Sequence, residues 1–304
     1  MSRQKELIQE INKLKKSKNA VILTHFYQRP NLYQIADYIG DSLDLSRKAA
    51  STDADVIVFC GVQFMAETAK ILSPHKKVLL PDKASGCLMA DMIEVDDLIE
   101  LKMQNPDARV VCYVNSTAAI KAESDICCTS ANAVNVVKSL PDKKIIFVPD
   151  KGLGGYVSSL VPEKDFILYD GLCPTHWRIK PEHILKTKKE YPDALVLVHP
   201  ECQADVINIA DYTGSTRGIL NYAKESNVKD FIIGSEVGIL LYMQEQMPDK
   251  NFILPTGEAV CENMKKNTLD QVYSCLINGT NEVIVDPEIA LKAINSINRM
   301  LAIQ

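Results

Sequence analysis

Short runs of almost uninterrupted apolar residues recur along the chain, and each run ends in polar residues. Three of them, VILTHFY (21–27), VVCYVN (110–115) and LVLVHPE (195–201), begin at nearly equal intervals. Continuous apolar runs of this length are typical of parallel β-strands that are covered on both faces. The runs that follow are DVIVFCG (55–61), DICCTS (125–130) and DFIIGS (230–235), and then KKVLLPD (76–82), KKIIFVPD (143–150) and KNFILP (250–255). The pattern predicts three βαβαβ units, the second with an added strand, FILYDG (166–171).

Amphipathic helices are predicted between these strands. Asn31 can cap a helix whose apolar stripe runs to Ile39 and which Gly40 ends, and Asp286 before Pro287 predicts the start of a C-terminal helix. Parallel strands that alternate with helices form sheets covered on both faces, and ligands bind beyond the carboxyl ends of such strands. We therefore expect an α/β protein of three similar αβα units that turn one face inward, towards a central active site.

A pair of polar side chains ends the first strand of each unit. Residues two apart on a strand point to the same side, so each pair shares one face. A single pair is most simply a set of polar groups at a sheet edge, but three equivalent pairs favour convergence in one cleft. Such a cleft would hold proton donors and acceptors suited to carbonyl and elimination chemistry. The pairs are His25 and Tyr27, Tyr113 and Asn115, and His199 and Glu201.

Hydroxyl side chains recur where helices are expected to begin. They are Ser42 in GDSLDLS, Ser130 in CCTSANAV, and Ser215 with Thr216 in YTGSTRGIL. Each one alone is most simply a helix N-cap. Helix N-termini also bind anions through their free N–H groups. Three of them around one cavity would suit a small ligand with several carboxylate or phosphate groups.

Nine cysteines are present, and four of them follow strands, in loops rich in Gly, Pro and polar residues: Cys87, Cys173, Cys202 and Cys261. One thiol from each unit could hold zinc, with water as a fourth ligand, or a 4Fe-4S cluster with one iron free of protein ligands. The spacing does not choose between these metals or between Cys173 and Cys202. The others lie in apolar patterns and are expected to be core thiols: Cys60, Cys112, Cys127, Cys128 and Cys275.

The composition excludes several classes of protein. Lys and Arg total 34 against 39 Asp and Glu, and this net charge of −5 argues against a nucleic-acid partner. No apolar stretch is long enough to predict a membrane span, and the charged start MSRQKELIQE does not resemble a secretory signal. We therefore expect a cytoplasmic protein whose cysteines remain thiols. The glycine-rich KGLGGYV (151–157) lacks the spacing of a dinucleotide-binding loop and is expected to form a tight turn.

Taken together, the motifs resemble those of the quinolinate synthase family over essentially the whole chain. In order, they are THFYQ, GDSLDLS, PDKASGCLMADM, CYVNST, CTSANA, PDKGLGGY, HPEC, GST and PTGEAVC. One departure is Arg217, which follows GST where a smaller residue is expected, and it bears on the local shape of that loop.

The resemblance implies three αβα units with short parallel sheets about a pseudo-threefold axis. Their expected bounds are 1–86, 87–173 and 174–286, with a C-terminal helix at 287–304 packed near the first unit. It also implies a 4Fe-4S cluster at the centre, bound by Cys87, Cys173 and Cys261 rather than Cys202.

The activity implied by the resemblance is condensation of iminoaspartate with dihydroxyacetone phosphate, a transferase reaction of NAD biosynthesis that gives quinolinate, phosphate and two waters. Glu201 and His199 are expected to move protons, while Tyr27 and Tyr113 orient or protonate the intermediate. A transient encounter with the enzyme that supplies iminoaspartate is expected from the pathway. The implied substrate-binding residues are His25, Ser42, Tyr113, Asn115, Ser130, His199, Glu201, Ser215 and Thr216.

Two other functions remain open from the sequence alone. A zinc-dependent lyase or aldolase would use the same three-ligand site, with the metal gripping a hydroxyl. A non-catalytic iron-sulfur sensor would use the cluster without turnover, but it gives no reason for His199 and Glu201 to converge with the anion sites.

Overall fold

The computed structural model describes residues 3–303, and its strands form three separate four-stranded sheets in which every neighbouring pair is parallel. The strands of the first unit are β1 (Ala20–His25), β2 (Tyr38–Gly40), β3 (Val56–Cys60) and β4 (Lys77–Leu79). Those of the second unit are β5 (Arg109–Tyr113), β6 (Ile126–Cys128), β7 (Lys144–Val148) and β8 (Asp165–Leu168). Those of the third unit are β9 (Leu195–Val198), β10 (Tyr212–Thr213), β11 (Asp230–Gly234) and β12 (Asn251–Ile253).

Helices cover the sheets and join their strands. They are α1 (Arg3–Ser17), α2 (Pro30–Tyr33), α3 (Ser42–Ser51), α4 (Gln63–Leu72), α5 (Val95–Gln104), α6 (Ala118–Ala122), α7 (Ala133–Ser139), α8 (Lys151–Leu160), α9 (Pro181–Glu190), α10 (Ala204–Ile207), α11 (Thr216–Glu225), α12 (Gly238–Gln246), α13 (Leu269–Asn278) and α14 (Pro287–Leu301). Short 3₁₀ helices follow the last strand of each sheet, at Ala90–Met92, His176–Arg178 and Met264–Lys266.

The three sheets share one strand order, which confirms the prediction of three similar αβα units. The orders are β2-β1-β3-β4, β6-β5-β7-β8 and β10-β9-β11-β12. The predicted βαβαβ unit was one strand short, because each unit is βαβαβαβ. The edge strands β2 and β10 have three and two residues, too few to show as apolar runs. FILYDG is therefore not an added strand, since β8 occupies the same place in its sheet as β4 and β12.

The helix predicted from Asn31 to Ile39 was also wrong. Helix α2 begins at Pro30 and ends at Tyr33, and the chain then enters β2. Pairing with β1 overrides the helical spacing here, because the edge strand satisfies backbone groups of β1 that would otherwise lie unpaired.

The C-terminal helix begins where the sequence predicts. The Asp286 side chain accepts hydrogen bonds from the backbone N–H groups of Glu288 and Ile289, a cap that stabilises a helix by about 1 kcal/mol. Helix α14 packs mainly on α6 and β6 of the second unit and also on α4 of the first, so it joins the two units. None of the helices between residues 3 and 303 is both long enough and apolar enough to cross a membrane.

Candidate active site

A cavity of about 170 Å³ is lined by residues of all three units, beyond the carboxyl ends of their first strands. The predicted site residues that line it are His25, Tyr27, Ser42, Cys87, Tyr113, Asn115, Ser130, Cys173, His199, Glu201, Thr216 and Cys261. Ser215 is placed differently, since its side chain accepts a hydrogen bond from the backbone N–H of Gly218 (3.1 Å) and caps α11.

The two strand-end histidines, His25 and His199, have the same local geometry. Nδ1 of His25 accepts the N–H of Tyr27 (3.1 Å), and Nδ1 of His199 accepts the N–H of Glu201 (3.3 Å). Burial lowers the pKa of each imidazole to about 3, with Lys265 acting in the same direction on His25. Both rings are therefore neutral near pH 7. Because Nδ1 accepts, each neutral ring carries its proton on Nε2.

Glu201 is a buried carboxylate whose two oxygens have separate partners. Oε1 accepts hydrogen bonds from the Tyr113 hydroxyl (2.6 Å) and Asn115 Nδ2 (3.3 Å), and Oε2 lies 2.7 Å from His176 Nδ1. Burial by itself would raise the pKa of Glu201, but the adjacent His176 and the hydrogen bonds from His176 and Tyr113 lower it below its ordinary value. The group is therefore ionised and can accept a proton.

Tyr27 reaches across the cavity from the first unit to the third. Its hydroxyl lies 2.9 Å from both Thr216 Oγ1 and Ser235 Oγ. Burial, followed by the negative charge of Glu201, raises the pKa of Tyr27, so the phenol remains protonated and can donate.

Of the hydroxyls predicted at helix starts, only that of Ser215 is a capping group. Asp41 caps α3 and Ser215 caps α11, so Ser42 and Thr216 are each the first residue of their helix. Ser130 precedes α7, and its Oγ lies 3.2 Å from Nε2 of His199. The hydroxyls of Ser42, Ser130 and Thr216 do not cap these helices, and all three residues line the cavity, where they are available to a ligand.

Three cysteines occupy equivalent positions in the three units. Each thiol sulfur accepts the backbone N–H of the residue three positions further on, where a 3₁₀ helix begins. The pairs are Cys87 with Ala90, Cys173 with His176, and Cys261 with Met264. The remaining cysteines are buried, which confirms the five expected core thiols; Cys202 is also buried and donates to the carbonyl oxygen of Gly234.

The chemistry of these three positions fits a metal centre. None of the three cysteines forms a disulfide, and all open onto the same cavity. Burial raises the pKa of Cys87 to about 12 and that of Cys173 well above its ordinary value, so the free thiols are neutral and metal binding would release their protons. Backbone N–H groups that point at the sulfurs are suited to thiolates, which bind iron and zinc.

His176 is a site residue that the sequence analysis missed. Its Nδ1 lies 3.2 Å from Cys173 Sγ, its Nε2 lies 3.4 Å from Ser235 Oγ, and its ring stacks on His199 at 4.6 Å between centroids. Ligand atoms of Cys173, His176 and Glu201 all lie within 4.8 Å of one another. The Cys-x-x-His spacing of CPTH, typical of metal ligands, was the signal that could have identified it.

The glycine-rich KGLGGYV segment forms the start of α8, so the predicted turn was wrong. Asp150 caps this helix through the N–H groups of Gly152 and Leu153, which stabilises the helical form. A Cβ atom at Gly152 would lie 2.8 Å from the carbonyl oxygen of Glu201. The glycine therefore allows α8 to pack directly against the backbone that carries Glu201.

Arg217, the departure from the family pattern, lies outside the cavity lining. Its Nε donates to Asp44 Oδ2 (2.8 Å), and a terminal nitrogen donates to the carbonyl oxygen of Ile39 (3.3 Å). The side chain connects α11 of the third unit to α3 and β2 of the first. Thr216, the residue before it, lines the cavity.

The chain is similar to known proteins over almost its whole length. The family profile described as "Quinolinate synthetase A protein" matches residues 9–302. The chain is 54% identical to the quinolinate synthase of Sulfurihydrogenibium sp. and 53% identical to that of Alkaliphilus metalliredigens, in each case over 98% of both chains. It is 50% identical to the quinolinate synthase of Aquifex aeolicus, over 98% of this chain and 94% of the relative. The chain therefore belongs to the quinolinate synthetase A family.

Proposed function

We propose that this protein condenses iminoaspartate with dihydroxyacetone phosphate to give quinolinate, phosphate and two waters, as a transferase of NAD biosynthesis. The proposal rests on the set of residues that line the cavity. In it, three equivalent thiols from three units line the same space as an acid–base set made of Tyr27, Tyr113, His176, His199 and Glu201. Membership of the family supplies the substrates.

Cys87, Cys173 and Cys261 would hold a 4Fe-4S cluster as its only protein ligands. The equivalent sulfur environments support this assignment, because a cluster bound by three cysteines leaves one iron free of protein ligands. When bound, such a cluster supplies a Lewis acid that assists loss of a hydroxyl as water.

The substrates carry two carboxylates and one phosphate, and the cavity offers hydroxyl donors for them. Ser42 and Thr216 stand at the first positions of α3 and α11, and both line the cavity, where their hydroxyls can donate to a carboxylate or phosphate. The buried Oδ1 of Asn115 has no hydrogen-bond partner within residues 3–303, so we expect it to accept from a substrate N–H or O–H.

Proton transfers are assigned by charge state. Glu201 is ionised and is the proposed base that removes a proton from carbon during enolisation and elimination. His199 is neutral, with its Nε2 proton directed at Ser130 Oγ, and is proposed to move protons at this side of the cavity, alongside Glu201. Tyr27 and Tyr113 are protonated, so they donate to oxygens that gain negative charge.

We also propose a cytoplasmic location, since the nine cysteines are free thiols and are best kept reduced there. A brief encounter with an iminoaspartate-producing enzyme would shorten the time that this hydrolytically fragile imine spends in water.

One observation favours a second candidate, a zinc-dependent lyase or aldolase. The ligand atoms of Cys173, His176 and Glu201 lie within 4.8 Å of one another, and a Cys/His/carboxylate set is suited to catalytic zinc. The two candidates predict different ligands, because the cluster requires Cys87 and Cys261 whereas this zinc site requires His176.

Anaerobic purification tests the proposal, with iron, sulfide, zinc and visible absorbance measured on each variant. We expect about four irons per chain in the wild type, lost in Cys87→Ser and kept in His176→Ala and in the control Cys202→Ala. The wild type should also form quinolinate from the two substrates. Zinc that is lost in His176→Ala but kept in Cys87→Ser would overturn the cluster and favour the lyase.

A further inference from the structure

An ion pair with a fully buried carboxylate lies at the wall of the cavity, and the chemistry proposed above makes no use of it. Glu236 follows β11 and is completely shielded from solvent, while Lys265 belongs to the 3₁₀ helix that begins three residues after Cys261. Lys265 Nζ lies 3.0 Å from Oε1 and 3.1 Å from Oε2 of Glu236. A buried charge pair requires close geometry and further hydrogen bonds to offset its desolvation.

The further hydrogen bonds connect the pair to two parts of the site. Oε1 of Glu236 accepts the backbone N–H of Cys261 (3.0 Å), and Oε2 accepts that of Gly238 (2.7 Å). Lys265 Nζ donates to the backbone carbonyl oxygen of Tyr27. One ion pair therefore holds the loop of a cysteine in the third unit and the backbone of a tyrosine in the first.

Gly238 shows how closely this arrangement is packed. A Cβ atom at this position would lie 2.6 Å from Lys265 Nζ, 2.7 Å from Glu236 Oε2 and 3.0 Å from the Cα of Tyr27. Only glycine leaves the pair and the tyrosine backbone in their observed places.

We propose that the Glu236–Lys265 pair is a positioning unit that fixes the Tyr27 hydroxyl relative to the Cys261 sulfur. Tyr27 approaches Ser235 Oγ at its hydroxyl end, and Ser235 immediately precedes Glu236, so the pair holds both ends of the tyrosine. Neither Glu236 nor Lys265 exchanges a proton with the substrate. The inference rests on the proposed function only for the roles of Tyr27 and Cys261.

A set of three variants separates positioning from plain stability. Lys265→Met leaves a buried carboxylate without its cation, and Glu236→Gln leaves a mostly shielded cation without its anion, so both should lower the thermal midpoint. The double variant Glu236→Gln/Lys265→Met buries no charge, and it should recover most of that loss. The methionine side chain that replaces Lys265 still cannot donate to the Tyr27 carbonyl.

Turnover of the reconstituted enzyme is the first measurement. In the double variant we expect kcat to remain reduced by about tenfold or more, with KM changed by less than about threefold, because Tyr27 is displaced rather than removed. Recovery of kcat together with the thermal midpoint would show that the pair acts only through stability and would overturn the proposal. Lys102→Met, which breaks the half-exposed pair with Glu123 on the second unit, is the matched control and should keep wild-type kcat.

A second measurement needs neither substrate nor metal. In the metal-free protein, iodoacetamide labelling of Cys261 should accelerate by about threefold or more in Lys265→Met and in the double variant, because its loop loses an anchor. Labelling of Cys87, in the equivalent loop of the first unit, should not change and serves as the internal reference. Unchanged labelling of Cys261 in both variants would overturn the link to the cysteine. If the wild type forms no quinolinate, the proposed function fails, whereas this labelling result still decides whether the pair holds the Cys261 loop.

Discussion

Glu201 and His176 form a buried pair in which Oε2 lies 2.7 Å from Nδ1, with both side chains almost completely shielded from solvent. The pair connects a strand end of the third unit to the loop that follows Cys173. It brings the proposed base within reach of the proposed metal ligands, and it orients His176 so that Nε2 faces Ser235.

Replacing His176 by Asn should lower turnover by about tenfold to a hundredfold while the protein stays folded. Glu201 Oε2 would lose its partner inside a buried site, which costs about 1–3 kcal/mol. Quinolinate formation by the reconstituted variant is the measurement. His75→Asn, on the surface of the first unit, is the control and should be unaffected. Full activity in His176→Asn would remove the residue from the mechanism.

Replacing Tyr27 by Phe should keep the visible absorbance of the cluster and lower kcat. The ring still packs, but the hydroxyl that bridges Thr216 and Ser235 is removed. Tyr222→Phe, on the outer helix α11 where the ring stacks on Tyr212, is a matched control. Equal turnover in Tyr27→Phe and the wild type would contradict a donor role for the hydroxyl.

Replacing Gly152 or Gly155 of α8 by alanine should change the thermal stability in opposite directions. At Gly152 the new methyl group would press on the carbonyl oxygen of Glu201, so we expect lower thermal stability and lower kcat. At Gly155 nothing lies within 4 Å of the new Cβ, so alanine should stabilise the helix by about 1 kcal/mol and leave kcat unchanged. Thermal unfolding and turnover of the two variants check this. Equal thermal stability and equal kcat in Gly152→Ala and Gly155→Ala would argue against close packing of α8 on the Glu201 backbone.

Lowering the pH should reduce the free energy of unfolding of the metal-free protein, in part because two buried histidines are neutral in the fold. The pKa values of His25 and His199 are about 3 in the fold against an ordinary 6.5, so their neutral state stabilises the fold fully above pH 6.5. This contribution is lost as the pH falls from 6.5 towards 3, by at most about 1.4 kcal/mol per pH unit for each histidine.

Buried carboxyls act in the opposite direction, because burial raises the pKa of Asp41 to about 6 and that of Asp150 well above its ordinary value. These carboxyls are present in both the wild type and the histidine variant. The difference between the two proteins in the pH dependence of their free energy of unfolding therefore reports the histidines alone. The free energy of unfolding in urea, measured from about pH 7 to about pH 5, should fall less steeply in His25→Gln/His199→Gln than in the wild type. Identical slopes would show that the two rings titrate alike in the folded and unfolded chains.

The sequence by itself determined the repeated architecture, the strand-end pairs and the cysteine loops. Apolar strands, punctuating prolines and glycines, and regular spacing are local signals, and the same signals recur in each third of the chain. For this reason the positions of His25, Tyr113 and His199 at strand ends could be predicted before any contact between units was known.

Only the tertiary structure decided which elements are sheet edges and which polar residues meet. Strands β2 and β10 are fixed by pairing with a neighbour, not by their own composition, so their short runs carry no visible pattern. Glu236 and Lys265 look like ordinary polar residues in the sequence, and the CPTH spacing marks His176 without showing that it meets Glu201. Their partners come from other units of the chain or from distant parts of their own, and burial makes each of those contacts obligatory because an unpaired polar group in the interior costs free energy.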